Sequence, residues 1–137
     1  MQLLDTMVLS ALRRPNMAPK PLVEFADRMP RDETFVSVIS IMEIETGAML
    51  LSRRDPRQGQ MLTDWLLGTL LPHYGDRLLP VTLQIARECA KLHVPDPKPY
   101  RDALIAATAL VHGLTLVTRN TKDFATTGVD LLNPWQL

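Results

Sequence analysis

Four acids, by their placement along the chain, constrain it more than any other feature. Asp5 follows the short apolar run 2–4. Glu43 follows FVSVIS within a few residues. Asp102 opens the apolar helical run DALIAATALVHG, and Asp123 follows LTLVTRN. Apolar runs alternate with helical stripes throughout, a pattern that specifies a parallel or mostly parallel sheet with helices on both faces. Ligands of such sheets bind outside the carboxyl ends of the strands. Four acids at those ends would converge on one crevice. Crowded carboxylates repel one another unless a cation neutralises them. Hard oxygen donors suit Mg²⁺ or Mn²⁺. The expectation is a metal-dependent hydrolase that cuts phosphodiesters.

The predicted elements give those acids their setting. A helix is expected over Thr6–Arg13, ending before Pro15, and a loop over 15–21. Leu22, Phe25, Ala26 and Met29 carry helical spacing. Phe35–Ile39 reads as a strand. Helices are expected over Ser40–Arg54, with Met42, Met49 and Leu50 marking the buried face, and over Gln60–Leu71, with Met61, Trp65 and Leu66 inward. Pro72–Asp76 reads as a turn and Leu78–Val81 as a strand. Thr82 is placed to cap a helix reaching His93, with Ile85, Ala86, Cys89 and Leu92 inward. Asp102–His112 is a small-residue helix with Gly113 as its C-cap. Leu114–Thr118 and Val129–Leu132 complete the strands. The pattern does not give the strand order.

Length and charge narrow the class. The 137 residues suit one domain, 1–137, and 46% hydrophobic with 22% charged residues is an ordinary globular composition. Fifteen basic and fifteen acidic residues cancel, so any nucleic-acid contact has to come from a local basic patch or a metal. Cys89 is the single cysteine, which excludes an internal disulfide. No run of about 18 apolar residues is present. The opening MQLLDTMVLSALRR has no basic leader, and Asp5 breaks its apolar stretch. A soluble cytoplasmic protein is expected.

Each acid also has an ordinary structural reading. Asp5 suits a helix N-cap. Ser40-Ile41-Met42-Glu43 has the S-x-x-E form of a capping box, in which Glu43 bonds back to the Ser40 amide. Glu45 competes with Glu43 but lies about 200° around the helix from it. Asp102 complements a helix dipole. Asn120 and Asp123 suit a turn, and Asp96 a solvated loop. Thr6 and Thr118 are positioned to support a metal water or a phosphate. Arg13, Arg14, Arg101, Arg119 and Lys122 are basic side chains available to meet phosphate. His73, His93 and His112 form no metal-ligand pattern, and no nucleotide-binding glycine loop is present.

The segments LLDTMVLS (3–10), SIMEIETGAML (40–50), YRDALIAATALVHGLTLVTRNTKDF (100–124) and NPW (133–135) resemble the PIN-domain ribonucleases. The likeness is to the toxin subunits of bacterial type II toxin–antitoxin pairs of the VapC and FitB type. It implies an α/β three-layer sandwich around a mostly parallel sheet of about five strands. The family's second acid stands four residues before a glycine, which selects Glu43, before Gly47, over Glu45. The first acid falls on Asp5 and the third on Asp102. The fourth role goes mainly to Asp123, with Asn120 as an accessory ligand. Met7 stands where the family opening LDTN has a polar residue.

The resemblance further implies an Mg²⁺- or Mn²⁺-dependent endoribonuclease whose site is Asp5, Glu43, Asp102 and Asp123. Thr6, Thr118, Asn120, Arg101 and Arg119 would support the site or the substrate. The implied partner is a cognate antitoxin whose tail blocks the crevice, with an arginine pairing the acids in place of metal. A homodimer and a larger complex with the antitoxin are implied as well. Alternative readings are another metal-dependent phosphodiesterase, such as a DNA nuclease or phosphatase, or a non-catalytic module binding RNA or a partner. A receiver-type domain is disfavoured, because the first strand offers one acid where it needs a pair.

Overall fold

The computed structural model describes all 137 residues. Five strands form one parallel sheet: β1 Gln2–Leu4, β2 Thr34–Ser37, β3 Leu78–Leu79, β4 Thr115–Val117 and β5 Leu131–Leu132. Their order is β3-β2-β1-β4-β5. The chain starts in the middle, builds outward through β2 and β3, then crosses to the other side of β1. The strand order therefore reverses at β1. In parallel sheets such a reversal places a ligand crevice at the carboxyl end of the strands, because connections there lead away in opposite directions.

Side chains alternate across the strands, and both faces are apolar, as a doubly covered parallel sheet requires. Leu4, Val36 and Val117 join one core with Val8, Leu9, Leu22, Phe25, Ile44, Leu66, Leu70 and Tyr74. Leu3 and Leu116 join the other with Ile39, Ile105, Ala106, Ala109, Leu114, Phe124 and Val129. The first face is covered by α1 Thr6–Leu12, α2 Lys20–Arg28 and the hairpin of α3 Val38–Arg54 with α4 Pro56–Trp65. The second is covered by α7 Tyr100–His112, backed by α6 Leu83–Leu92. Buried Ala103, Ala106, Ala107 and Ala109 let α7 lie close to its neighbours. Gly59 does the same for the α3–α4 hairpin. A Cβ there would stand 2.6 Å from Cα of Ser52, so any side chain would force the helices apart.

Several boundaries differ from those expected. Helix α4 begins at Pro56 and runs through a π turn, Leu66–Leu70, into α5 Leu71–Tyr74, so Pro72 lies inside a helix rather than in a turn. Proline lacks a donor and its ring crowds the carbonyl four residues back. The wider π turn immediately before it displaces that carbonyl. Met42, Met49 and Leu50 do not mark the buried face of α3; they are 47%, 63% and 62% exposed, and Met61 is 48% exposed. The face of α3 that enters the core carries Ile39, Ile44 and Ala48. Methionine and leucine tolerate either environment, so α3's weak amphipathicity could not decide its orientation. Ala86 is also exposed, whereas Ile85 and Cys89 are buried as expected. Gly113 ends α7 in the left-handed region with φ 65°. A short helix, α8 Thr121–Phe124, occupies what reads as a turn.

Candidate active site

Asp5 leaves the carboxyl end of the central strand and stands in that crevice. Its backbone N–H still belongs to the sheet and donates to the Val117 carbonyl (2.9 Å). Its side chain is 7% exposed. One carboxylate oxygen caps α1 by accepting from the Thr6 N–H (2.8 Å). The other accepts from the hydroxyl of Thr118 (2.7 Å), 113 residues away at the end of β4. The capping reading of Asp5 is thus correct for one oxygen. The second oxygen ties together the two strands that flank the switch point. Thr118 is wholly buried and also accepts from the Asn120 N–H (3.1 Å), which orders the start of the β4–α8 loop.

The capping box does not form. Ser37, at the end of β2, caps α3 by accepting from the Ile39 N–H (3.0 Å). The helix therefore starts at Val38, two residues earlier than expected, which leaves Ser40 inside its first turn and Glu43 on its second. Freed from capping, Glu43 turns toward α1. Thr6 Oγ1 lies 3.0 Å from Glu43 Oε1 and 2.8 Å from the buried Ser40 Oγ. A threonine has one hydroxyl proton. Thr6 donates it to the carboxylate, and Ser40 donates to Thr6 in turn. Ser40 thus belongs to the site, a role that its position in an S-x-x-E motif concealed. Glu45 is exposed and stands outside this network, as the glycine spacing implies.

Helix α7 brings Asp102 to the crevice in its first turn. Arg101, next to it, approaches Glu43 (Nη1 to Oε2, 3.8 Å) and links α7 to α3. Asp123, in α8, is exposed, and Asn120 caps that helix without a side-chain bond. Asp96 is a solvated loop residue, and Arg13, Arg14 and Lys122 form no ion pair.

The electrostatics show that the four acids share one field. Burial pushes Asp5 above the usual carboxylate range. Hydrogen bonds from Thr118 and Thr6 oppose this, and the charge of Asp123 adds to it. Burial, then the charges of Asp5 and Asp123, push Asp102 up against the pull of Arg101. Burial also raises Glu43, opposed by Thr6 and Arg101 and assisted by Asp5 and Asp102. Partial burial with like charges nearby is the signature of a site held ready for a cation or a proton. The donor set, all carboxylate oxygen with threonine and asparagine beside it, fits a hard divalent ion. No three of the acids stand close enough to ligate one ion together.

A parallel sheet in this order, with acids gathered at the switch point, defines a class of protein. The PIN domain model matches residues 3–129, and the chain belongs to that family. Toxin FitB of Neisseria gonorrhoeae is 33% identical over 141 residues, an alignment that spans 98% of this chain and 99% of FitB. VapC ribonuclease Y4jK of Sinorhizobium fredii is 29% identical over 141 residues, spanning 99% of each. Among solved structures, the crystal structure of FitAcB from Neisseria gonorrhoeae superposes with a TM-score of 0.90 at 31% identity, covering 100% of both chains. The family resemblance and the five-stranded parallel fold expected from the sequence are both borne out.

Proposed function

We propose that this chain is a divalent-metal-dependent endoribonuclease and acts as the toxin of a toxin–antitoxin pair. The observation that carries the reading is Asp5. It is a buried carboxylate pinned by Thr118 and Thr6 at the strand-order reversal, within the field of Asp102, Asp123 and Glu43. The names of the relatives FitB, a toxin, and Y4jK, a ribonuclease, support it.

Asp5, Glu43, Asp102 and Asp123 would hold Mg²⁺ or Mn²⁺, with Asn120 as an accessory oxygen. When bound, the ion would lower the pKa of a water and stabilise charge on the scissile phosphate. The chain's own groups do the positioning. Thr118 fixes the Asp5 carboxylate, and Thr6 with Ser40 fixes Glu43. Arg101 offsets part of the negative charge and can meet the RNA backbone once Glu43 turns to a cation. Arg119, at the crevice rim, meets the strand that enters. No helix is long and apolar enough to cross a membrane, which is consistent with an RNA target in the cytoplasm.

The proposed partner is a cognate antitoxin that occupies the crevice and offers a cation to the acids. The exposed stripe of Met42, Met49, Leu50 and Met61 on α3 and α4 supports self-association, and thus a larger complex with the antitoxin. The test is RNA cleavage by purified chain freed of antitoxin, with Mg²⁺ or Mn²⁺ and then EDTA, beside Asp102→Asn. Cleavage lost on both treatments supports the reading. Cleavage that survives both refutes it.

A further inference from the structure

A second groove runs along α1 away from the acids. It has a volume of about 470 Å³ and is lined by Met7, Arg14, Met17, Arg119 and Trp135 among others. That size falls in the range of ligand pockets. Its lining carries two guanidiniums and no acid, in a chain whose charges cancel overall. Neither guanidinium has a carboxylate partner within 4 Å. The local cation excess that nucleic-acid contact requires is therefore present here.

Two of its lining residues are chain neighbours of the acidic site. Met7 lies two residues after Asp5, and Arg119 follows Thr118, which holds Asp5. Between Asp5 and Arg14, α1, Thr6–Leu12, advances about 10 Å at 1.5 Å per residue and leads to the loop that carries Arg14. One wall is built with care. Arg119 Cζ lies 5.4 Å over the centre of the Trp135 ring. The terminal turn that carries Trp135 is latched beneath it. Asn133 Nδ2 donates to the Arg119 carbonyl (3.4 Å), and the Trp135 N–H donates to Asn133 Oδ1 (2.9 Å). A guanidinium held over an aromatic ring, in a groove that methionine side chains also line, is a surface on which an unpaired base stacks.

We propose that this groove is a subsite for single-stranded RNA. A nucleobase stacks between the Arg119–Trp135 pair and Met7 and Met17, while Arg14 and Arg119 meet the flanking phosphates. The subsite rests on the ribonuclease reading, because it supplies the strand to those acids. It also makes sense of Met7, an apolar residue exposed beside a polar crevice.

The test uses the full chain carrying Trp65→Phe, which leaves Trp135 as its one tryptophan. A short single-stranded RNA is titrated in EDTA over a range of salt concentrations. Three effects are expected. Trp135 emission changes on binding, and the change is lost with an oligomer of the same backbone that lacks bases. Arg14→Ala lowers the slope of log affinity against log salt by about 0.7, the value for one single-strand phosphate contact. Arg119→Lys keeps the slope but weakens binding about fivefold or more, because the ammonium cannot replace the planar stacking surface. Far-UV circular dichroism confirms that each variant is folded. RNA that saturates the protein without altering Trp135 emission, or that binds the variants with unchanged affinity and slope, overturns the proposal. So does an emission change produced by an antitoxin-tail peptide and not by RNA. Metal-dependent cleavage with indifferent groove variants would sink the subsite and leave the ribonuclease standing. Groove binding without cleavage would do the reverse.

Discussion

The two ends of the sheet treat charge in opposite ways. At the amino end, the Arg77 guanidinium lies ahead of β3 and spends itself on the protein. It donates to the carbonyls of Arg31, Thr34 (2.7 Å) and His73 (2.6 Å) and to the Thr34 hydroxyl (3.1 Å), and it lies 4.9 Å over the Tyr74 ring. Arg31 adds a second bond to the His73 carbonyl (3.0 Å). At the carboxyl end, four acids crowd together with one guanidinium near them, at 3.8 Å from Glu43. At the amino end the guanidiniums are spent on backbone carbonyls, and their charge is structural. The carboxyl end keeps an excess of negative charge, and that imbalance is what the proposed function rests on.

The sharpest way to break the comparison is to remove charge at the carboxyl end. Asp5→Asn or Asp102→Asn should each reduce RNA cleavage about 100-fold or more without unfolding the chain. Single-turnover rates beside a thermal melt check this, and an active Asp5→Asn would deny the crevice its role. At the amino end the expected sign is reversed. Arg77→Ala should cost about 2–4 kcal/mol of stability, since several carbonyls lose a charged donor at once. Cleavage per folded molecule should stay unchanged, as urea titration and activity scaled to the folded fraction would show.

Between these lies Thr118→Val, which leaves one oxygen of buried Asp5 unpaired and should cost about 1–3 kcal/mol. Thr118→Ser should restore most of it, measured by denaturant midpoint. The smallest effect is on pH dependence. Asp5, Glu43 and Asp102 titrate above their ordinary values when folded. Between the unfolded and folded values the native state holds more protons than the unfolded state. The stability these groups contribute is present below the unfolded values of 3.8 and 4.5 and falls as pH rises through the folded ones. Asp102→Asn should therefore flatten the fall above that range. The gain near neutral pH should be no more than about 1 kcal/mol, since the side chain is half-exposed and screened. Melts from acid to neutral pH would show it, and a variant that loses stability on the same climb would contradict the crowding.

Much of this was legible from local pattern. Strand and helix alternation, the acids at strand ends and the Thr82 and Gly113 caps all follow from residue types within a few positions of one another, whereas the choice of Glu43 over Glu45 came from the family resemblance. Propensity and periodicity act over that same distance. Misread positions were those where local and distant partners compete. Ser40 and Glu43 carry the capping-box pattern, but Ser37 takes the cap and the pair is left for Thr6. Met42, Met49 and Met61 suit a core or a surface, and the packing of α3 and α4 put them outside.

By itself the amino-acid sequence determined the type of sheet, the helices that cover it and the four acids available to a site. These depend on spacing along the chain. Strand order, the reversal at β1 and the bond from Thr118 to Asp5 across 113 residues were decided by tertiary structure. So was the meeting of Arg119 with Trp135 beside the N-terminal helix. Such contacts depend on which faces bury together, and burial free energy depends on the assembled core rather than on sequence neighbours.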